Sequence, residues 1–332
     1  MAGGSVELRD IERAREAIAR TVRHTPLIPS AALSARTGAD VRLKLESLQD
    51  TGAFKIRGAT NRIAALDAAE RARGVVTVST GNHGRAVAQA AKRHGVKAIV
   101  CVSNLVPRNK LDAIAALGAE VRIVGQSQDE AEVEAERLAA EHGMVMVSPF
   151  DDAHVIAGQG TIGLELIGDW PELDTVLVPV SGGGLISGIA VAVKAYRPDA
   201  RIIGVSMDQG AAMVQSQRAG RPVSVEEMPS LADSLGGGIG LDNAFTFALV
   251  RDYVDELVLV TEAEIAQAMR HVFREERLIA EGGACVGIAA LLNDRADRLG
   301  DNIAVVVSGA NVDLDRFLQI VGGAEQSSAS RF

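Results

Sequence analysis

The stretch TVLVPVSGGGLISGIAVAVKA, residues 175–195, carries the pattern that decides the fold. It opens with an apolar, β-branched run of strand length and closes with small apolar residues that suit a buried helix. A polar turn containing three successive glycines, Gly182 to Gly184, joins the two parts. A strand that is apolar throughout and leads directly into a helix is typical of a parallel sheet covered by helices on both faces.

The same alternation recurs along the chain. Further runs of strand type occupy residues 75–80, 98–103, 120–125, 145–150, 201–206, 256–260 and 303–308. Alanine-rich helical segments separate them, and Thr261 with Glu264 forms a capping box after one strand. Spaced apolar residues from Leu8 to Val22 predict an opening amphipathic helix. We therefore predict an α/β protein whose strands form one or two sheets, with residues 148–152 as the candidate crossing point between lobes.

Composition narrows the functional class. The chain has 332 residues, of which 47% are hydrophobic and 23% charged, as expected for one or two globular domains. A formal net charge of −9 argues against a nucleic-acid partner, because phosphate binding depends on clustered Lys and Arg. No run approaches the roughly 18 apolar residues that span a bilayer. We therefore expect no association with a membrane. Cys101 and Cys285 lie in separate apolar runs, which indicates buried free thiols and hence a reducing cytoplasm.

Small polar turns follow three of the predicted strands, and ligands of parallel sheets bind at the carboxyl ends of strands. In SGGGLISG, residues 181–188, successive glycines let backbone N–H groups and a helix N-terminus converge on a phosphate. The turn is not a dinucleotide fingerprint, because Ser187 stands where the final glycine is required. A glycine turn that serves only tight packing is the alternative.

TGAFKIRGA, residues 51–59, places Lys55 between Phe54 and Ile56. A lysine in apolar surroundings either extends its amine to water or is used for its chemistry. Together with a phosphate loop and the hydroxyl of Ser308 at a strand end, it suggests a phosphorylated aldehyde cofactor held as a Schiff base.

Eight blocks resemble, in order and spacing, the serine/threonine dehydratase and serine racemase family of fold type II pyridoxal-phosphate enzymes. The blocks are HTPL (24–27), KLESLQDTGAFKIRGA (44–59), STGNHGRAVA (79–88), VPRNKLDAIAALGAEV (106–121), SPFDDAHVIAGQGTIGLEL (148–166), VPVSGGGLISGIA (178–190), EGGACVGIAAL (281–291) and VVVSGANVD (305–313). The resemblance implies a tryptophan-synthase-β-like α/β fold of two lobes, each a mainly parallel sheet flanked by helices. It also implies a large cofactor domain of residues 1–50 and 147–322, a small mobile domain of 51–146, and a tail of 323–332.

The resemblance assigns a role to each motif residue. Lys55 would hold the cofactor, pyridoxal 5'-phosphate, and move the Cα proton. Phe54 would lie against the ring, while Asn82 would contact the ring hydroxyl and Ser308 the ring nitrogen. The phosphate would be bound by Ser181, Gly182, Gly183, Gly184 and Leu185. The α-carboxylate of an amino-acid substrate would be bound by Ser79, Thr80, Gly81, Asn82 and His83.

The implied reaction is α,β-elimination from a β-hydroxy amino acid, giving a keto acid and ammonia. A neutral serine opposite the ring nitrogen favours elimination over transamination. Relatives hold a cation at positions that match Ser206, Gly210 and Ala212, and the acidic ligands are absent here, so we expect no metal. Thr80 matches the position where racemising relatives keep a serine that reprotonates the opposite face of the substrate. Its hydroxyl is therefore a candidate catalytic group, and racemase activity stays open. The family also implies a homodimer.

Substrate identity is the least determined feature. SMDQGAAM (206–213), LADSLGGGIGLDN (231–243) and RDYVDELVLV (251–260) resemble the hydroxyectoine-utilisation dehydratases, which implies a substrate such as 3-hydroxyaspartate. The second carboxylate of such a substrate needs a cationic side chain as its partner. The chain has 28 arginines, and the sequence does not show which of them has this role. Alternatives are a general threonine or serine dehydratase, a hydroxy-amino-acid racemase, a β-replacement enzyme of cysteine-synthase type, which TGNHG disfavours, and a catalytically silent amino-acid-binding protein, which Lys55 disfavours.

Overall fold

The computed structural model describes residues 5–79, 81–104, 106, 108–126 and 128–323. The strands in this part of the chain are β1 (Leu27–Pro29), β2 (Asp40–Leu45), β3 (Val75–Val78), β4 (Ala98–Val102), β5 (Glu120–Ile123), β6 (Val145–Met146), β7 (Thr175–Pro179), β8 (Arg201–Met207), β9 (Glu256–Val260) and β10 (Asn302–Val307). The helices are α1 (Leu8–Ile18), α2 (Ala31–Thr37), α3 (Ile56–Ala64), α4 (Ala68–Arg73), α5 (Asn82–His94), α6 (Arg108–Ala116), α7 (Gln128–His142), α8 (Ala153–Asp169), α9 (Gly184–Tyr196), α10 (Ala212–Ala219), α11 (Thr246–Tyr253), α12 (Glu262–Arg274), α13 (Gly282–Leu292) and α14 (Leu314–Gly322).

The strands form two sheets. The larger has the order β1-β2-β10-β7-β8-β9, and the smaller has the order β5-β4-β3-β6. Every neighbouring pair is parallel except β1 with β2. The predicted α/β fold with two lobes of mainly parallel sheet is therefore confirmed. The domain boundaries at residues 50, 146 and 322 stay a prediction, and the tail beyond residue 323 lies outside the described residues.

All eight predicted strands are present, and two more were missed. β1 is only three residues long and ends in Pro29, so it lacks a strand-like pattern. β2 carries charges at alternate positions, yet it lies inside the larger sheet between β1 and β10. The opening helix ends at Ile18, so Val22 lies beyond it. The capping box predicted at the start of α12 is confirmed, with the Thr261 and Glu264 side chains each bonded to the other's backbone N–H.

Helix α8 contacts helices that belong to both lobes. Gly158 allows α8 to pack closely on α3, because a Cβ there would lie 2.6 Å from the Cα of Gly58. Gly188 does the same for α9, where a Cβ would lie 2.3 Å from the Ile156 carbonyl oxygen. Replacing either glycine would force backbone to move. This close packing fixes the helix that follows Lys55 relative to the helix that follows the glycine turn.

Two further features bear on the functional class. Cys101 and Cys285 are buried free thiols, as predicted. Among the helices in the described ranges, none is both long and apolar enough to cross a bilayer.

Candidate active site

Lys55 immediately precedes α3, and its amine is directed into the protein. Its Nζ donates a hydrogen bond to the Pro149 carbonyl at 2.6 Å and lies 5.2 Å from the centroid of the Phe54 ring. Burial lowers the pKa of Lys55 to about 8, and the charge of Glu281 offsets this only in part. A lysine that loses its proton near neutral pH is equipped to act as nucleophile and base.

The loop that joins β7 to α9 leaves a row of backbone donors without acceptors. Helix α9 begins at Gly184, and the N–H groups of residues 181 to 186 make no hydrogen bond to any acceptor in the described part of the chain. Most of these residues are buried. Because buried N–H groups are almost always paired in folded proteins, this row indicates a site for an anion supplied from outside the chain.

The same loop also needs its glycines for packing. A Cβ on Gly182 would lie 2.2 Å from the Phe150 ring, and one on Gly184 would lie 2.7 Å from the Phe150 carbonyl oxygen. Gly183 has φ of +90°, in the left-handed region that favours glycine. Tight packing, the alternative open from the sequence, therefore accounts for the glycines. It does not account for the unpaired N–H groups.

Short contacts bring Lys55, the glycine loop and Ser308 together. Pro149 accepts the hydrogen bond from Lys55, and the next residue, Phe150, packs on the loop. The Ser308 carbonyl accepts the N–H of Phe54 at 3.0 Å. Ser308 is 4% exposed, and its hydroxyl makes no hydrogen bond with the described residues. A free hydroxyl therefore lies beside the residue that precedes Lys55.

The turn after β3 offers a second group of backbone donors. Ser79 Oγ accepts the N–H of Gly81 at 3.3 Å. The N–H groups of Asn82 and His83, in the first turn of α5, find no acceptor among the described residues. Thr80, predicted to bind substrate and to act in catalysis, lies outside the described residues.

The side chains of this turn differ in role. Asn82 Nδ2 donates to Glu281 at 2.7 Å, and Asn82 Oδ1 accepts from Asn311 Nδ2 at 2.6 Å, so the amide is held at both ends. His83 is buried, with Nε2 2.9 Å from the Val147 carbonyl. Burial, together with the nearby charge of Lys55, lowers the pKa of His83 to about 3. His83 is therefore a neutral donor that cannot supply an imidazolium proton near pH 7.

Glu281 is the functional-site residue that the sequence analysis did not select. It occupies the position before the first turn of α13, is 4% exposed, and its charge acts on Lys55. Burial and the neighbouring charge of Asp233 raise the pKa of Glu281 to about 7. The signal was present in IAEGGACVG, residues 279–287, where a carboxylate lies between an apolar residue and two glycines, much as Lys55 lies between apolar neighbours.

Arg57, two residues after Lys55, belongs to a different kind of cluster. It is 1% exposed and forms bidentate ion pairs with two carboxylates. Both hydrogen bonds to Glu46 are 2.8 Å long, and those to Glu165 are 2.6 and 2.9 Å long. Lys44 adds a contact to Glu165 at 2.7 Å. Burial alone would raise the pKa of Glu46, but Arg57 and Thr25 hold it below its ordinary value. These charges compensate one another and leave no group free to react.

The resemblance to the dehydratase family matches its cation site to Ser206, Gly210 and Ala212. Among the described residues, no cluster of three His, Cys, Asp or Glu side chains is suited to hold a metal ion. The expectation that no metal binds here stays a prediction.

Comparison with known proteins places the chain in a family. Residues 18–309 match the protein family described as pyridoxal-phosphate dependent enzyme. A Sinorhizobium fredii protein named "Putative threonine dehydratase" is 54% identical over 324 residues, covering 98% of each chain. The L-threonine ammonia-lyase of Thermotoga maritima is 44% identical over 316 residues, covering 95% of this chain and 78% of the relative.

Solved structures agree with this relationship. Maize serine racemase superimposes with a TM-score of 0.90 at 36% identity, covering 95% of this chain and 97% of the racemase. A pyridoxal 5'-phosphate-dependent aspartate racemase superimposes with a TM-score of 0.84 at 33% identity, covering 94% of this chain and 98% of that chain.

The described residues fit the cofactor of this family. Pyridoxal 5'-phosphate carries a phosphate and an aldehyde. The six unpaired N–H groups at the start of α9 suit the phosphate, and the inward-facing amine of Lys55 suits the aldehyde. The chain therefore belongs to the pyridoxal-phosphate-dependent enzymes, among the ammonia-lyases of the threonine and serine dehydratase type.

Proposed function

We propose that this enzyme removes the β-hydroxyl group of a 3-hydroxyaspartate-like amino acid, releasing a keto acid and ammonia, as a step in hydroxyectoine breakdown. The likeness of residues 206–213, 231–243 and 251–260 to hydroxyectoine-utilisation dehydratases supports this substrate. The aspartate racemase described above supports it further, because its name indicates an amino acid with two carboxylates on a fold of this type.

The position and pKa of the Lys55 amine are the main support for the proposed reaction. It is turned inward, has a lowered pKa, and lies beside the residues that meet the row of free N–H groups. In the proposed assignment Lys55 would hold the cofactor until the substrate's amino group displaces it. The freed amine of Lys55 would then take the proton from the substrate's Cα while the β-hydroxyl group leaves as water. The bound cofactor supplies a conjugated ring that stabilises the charge developing at that carbon.

The remaining residues position groups around Lys55. Residues 181 to 185 would bind the phosphate through backbone N–H groups, and the turn of residues 79 to 83 would bind the α-carboxylate, with the free N–H groups of Asn82 and His83 as donors. Asn82 would contact the ring hydroxyl, and its amide is already held in one orientation by Glu281 and Asn311. Phe54 would lie against the ring, and the buried Ser308 would offer the ring nitrogen an uncharged hydroxyl, which favours elimination.

A general L-threonine or L-serine dehydratase is the second candidate, because the relatives named above are a threonine dehydratase and an L-threonine ammonia-lyase. We further propose a cytoplasmic homodimer. The two buried free thiols support a reducing compartment. The family resemblance supports the dimer.

The test combines visible absorbance with product assays. Purified holoenzyme is mixed separately with L-threonine, L-serine and the isomers of 3-hydroxyaspartate, and ammonia and keto acid are measured. We expect a yellow protein that acts best on one 3-hydroxyaspartate isomer. Higher kcat/KM for L-threonine or L-serine than for every isomer would instead establish the general dehydratase.

Substitution of Lys55 tests the chemistry. We expect Lys55→Ala to lower kcat/KM at least about 10³-fold, because both proton transfer and cofactor attachment are lost. Thermal unfolding of the apoenzyme should stay unchanged. Lys97→Ala is the control, since Lys97 is an exposed lysine paired with Glu120 at 3.2 Å. Activity of Lys55→Ala equal to that of the control would refute the assignment.

A further inference from the structure

Arg85 lies at the edge of the candidate active site. It follows Asn82 by three residues on α5, so the two side chains share one face of the helix. The Arg85 guanidinium donates to Asn311 Oδ1. The Asn311 amide in turn donates to Asn82 Oδ1 at 2.6 Å and to the Thr51 carbonyl at 2.8 Å. Arg85 is therefore one contact away from the residue proposed to meet the cofactor ring.

The charge of Arg85 is uncompensated. It is half-buried, and its guanidinium makes no ion pair with the described residues; its one hydrogen bond goes to a neutral amide. Two other partly buried arginines of this lobe have carboxylate partners, Arg62 with Asp152 at 3.2 Å and Arg122 with Glu134 at 3.0 Å. A guanidinium carries five N–H donors in a planar fork that matches a carboxylate. Most of those donors remain open here.

We infer that Arg85 binds the second, side-chain carboxylate of a dicarboxylic β-hydroxy amino acid and so determines the substrate class. The inference rests on the proposed function. Residues three apart on a helix have Cβ atoms roughly 5–6 Å apart. That spacing suits a substrate whose two carboxylates are joined by two carbons, with the α-carboxylate at the first N–H groups of α5 and the second at Arg85.

Arg316 is the competing arginine, and its surroundings suit a dicarboxylate less well. It lines a cavity of about 460 Å³ together with Glu227 and Asp233. Two carboxylates there would repel an anionic side chain. Arg316 is therefore the matched control for charge removal near the site.

The experiment measures kcat/KM of the holoenzyme for L-threonine and for the 3-hydroxyaspartate isomer that the wild type uses best. We expect Arg85→Gln to lower the ratio of kcat/KM for 3-hydroxyaspartate to kcat/KM for L-threonine by roughly 10- to 100-fold, because a charge-assisted contact is lost. Arg85→Lys should recover part of the ratio, because lysine keeps the charge and loses the fork. Arg316→Gln should leave the ratio unchanged.

Each remaining outcome identifies what fails. An unchanged ratio in Arg85→Gln, with both substrates affected equally, would mean that Arg85 only ties α5 to Asn311, and the inference alone would fall. If Arg316→Gln instead lowers the ratio of kcat/KM for 3-hydroxyaspartate to that for L-threonine, the second carboxylate binds at the acidic cavity and not at Arg85. A wild type that acts on L-threonine and on no 3-hydroxyaspartate isomer would refute the substrate proposal, and this inference with it.

Discussion

Lys55 and Arg57 are two residues apart, and both cations are directed away from solvent, yet their surroundings differ. Arg57 meets two carboxylates at hydrogen-bond distance, which more than offset the effect of burial and raise its pKa. Lys55 meets one carbonyl oxygen, and burial lowers its pKa to about 8. Burial alone therefore does not mark a reactive group. The marker is burial without a compensating partner.

The carboxylates show the same contrast. Glu46 accepts hydrogen bonds from Arg57 and Thr25, and its pKa is lowered although burial opposes this. Glu281 accepts from the neutral amide of Asn82, and burial raises its pKa to about 7. The cluster around Arg57 is therefore structural, whereas the cluster around Lys55 is poised to exchange protons.

The largest expected effect concerns the stability of the compensated cluster. Arg57→Met should lower the free energy of unfolding of the apoenzyme by about 3–5 kcal/mol, because it leaves Glu46 buried without its arginine and Glu165 with Lys44 alone. Urea unfolding followed by circular dichroism measures this. Lys55→Met is the matched control and should change the value by less than about 1 kcal/mol, since its amine makes one hydrogen bond. Equal losses in the two variants would remove the distinction.

The next effect is the pH dependence of stability. The pKa of Glu281 is about 7 when folded, against an ordinary value of 4.5. Between these values the unfolded chain releases the proton that the folded chain retains, so this residue's contribution to stability falls as pH rises through that window. Glu281→Gln should remove that fall, which amounts to roughly 3 kcal/mol in the apoenzyme.

Glu46 should behave in the opposite way. Its folded pKa is lowered, so its contribution is present above the unfolded pKa and is lost as pH falls through the folded value. Urea unfolding of Glu281→Gln and Glu46→Gln across pH, each compared with wild type, separates the two signs. The same sign in both variants would contradict the comparison.

The smallest effect is a shift in the titration of Lys55. Because the charge of Glu281 raises the pKa of Lys55, Glu281→Gln should lower that pKa from about 8 by up to about one unit. The rate at which apoenzyme takes up pyridoxal phosphate, followed by absorbance across pH, should reach half its maximum at a lower pH. Glu276→Gln, which alters a carboxylate bonded to Ser30, should leave the midpoint in place. A midpoint that moves upward in Glu281→Gln would show that the coupling has the wrong sign.

Much of the fold was predictable because most strands are apolar along their whole length. β2 was not predicted, because it contains Lys44 and a charged residue argues against a buried strand. Lys44 is tolerated because it pairs with Glu165 on α8. A partner so distant in the chain cannot be read from a local pattern.

The site was predictable to the extent that its chemistry resides in short motifs. Lys55, the glycine loop and Ser308 each stand out locally, and the structure brings them together through Phe54, Pro149 and Phe150. Glu281 and Arg85 were not selected, because the meaning of each depends on which partners are missing. An absent partner becomes visible only when the neighbours from other segments are in place.

The free N–H groups at the start of α9 have a consequence for how this enzyme tolerates mutation. Recognition by main-chain atoms is encoded in no particular side chain, so no exchange of one polar residue for another can delete it. Cofactor binding should instead be sensitive to mutation of the residues that give the loop its shape. Phe150 is the main one, because its ring and carbonyl fill the space beside Gly182 and Gly184. In a natural or laboratory mutant collection, losses of cofactor affinity should therefore concentrate at apolar and glycine positions around this loop.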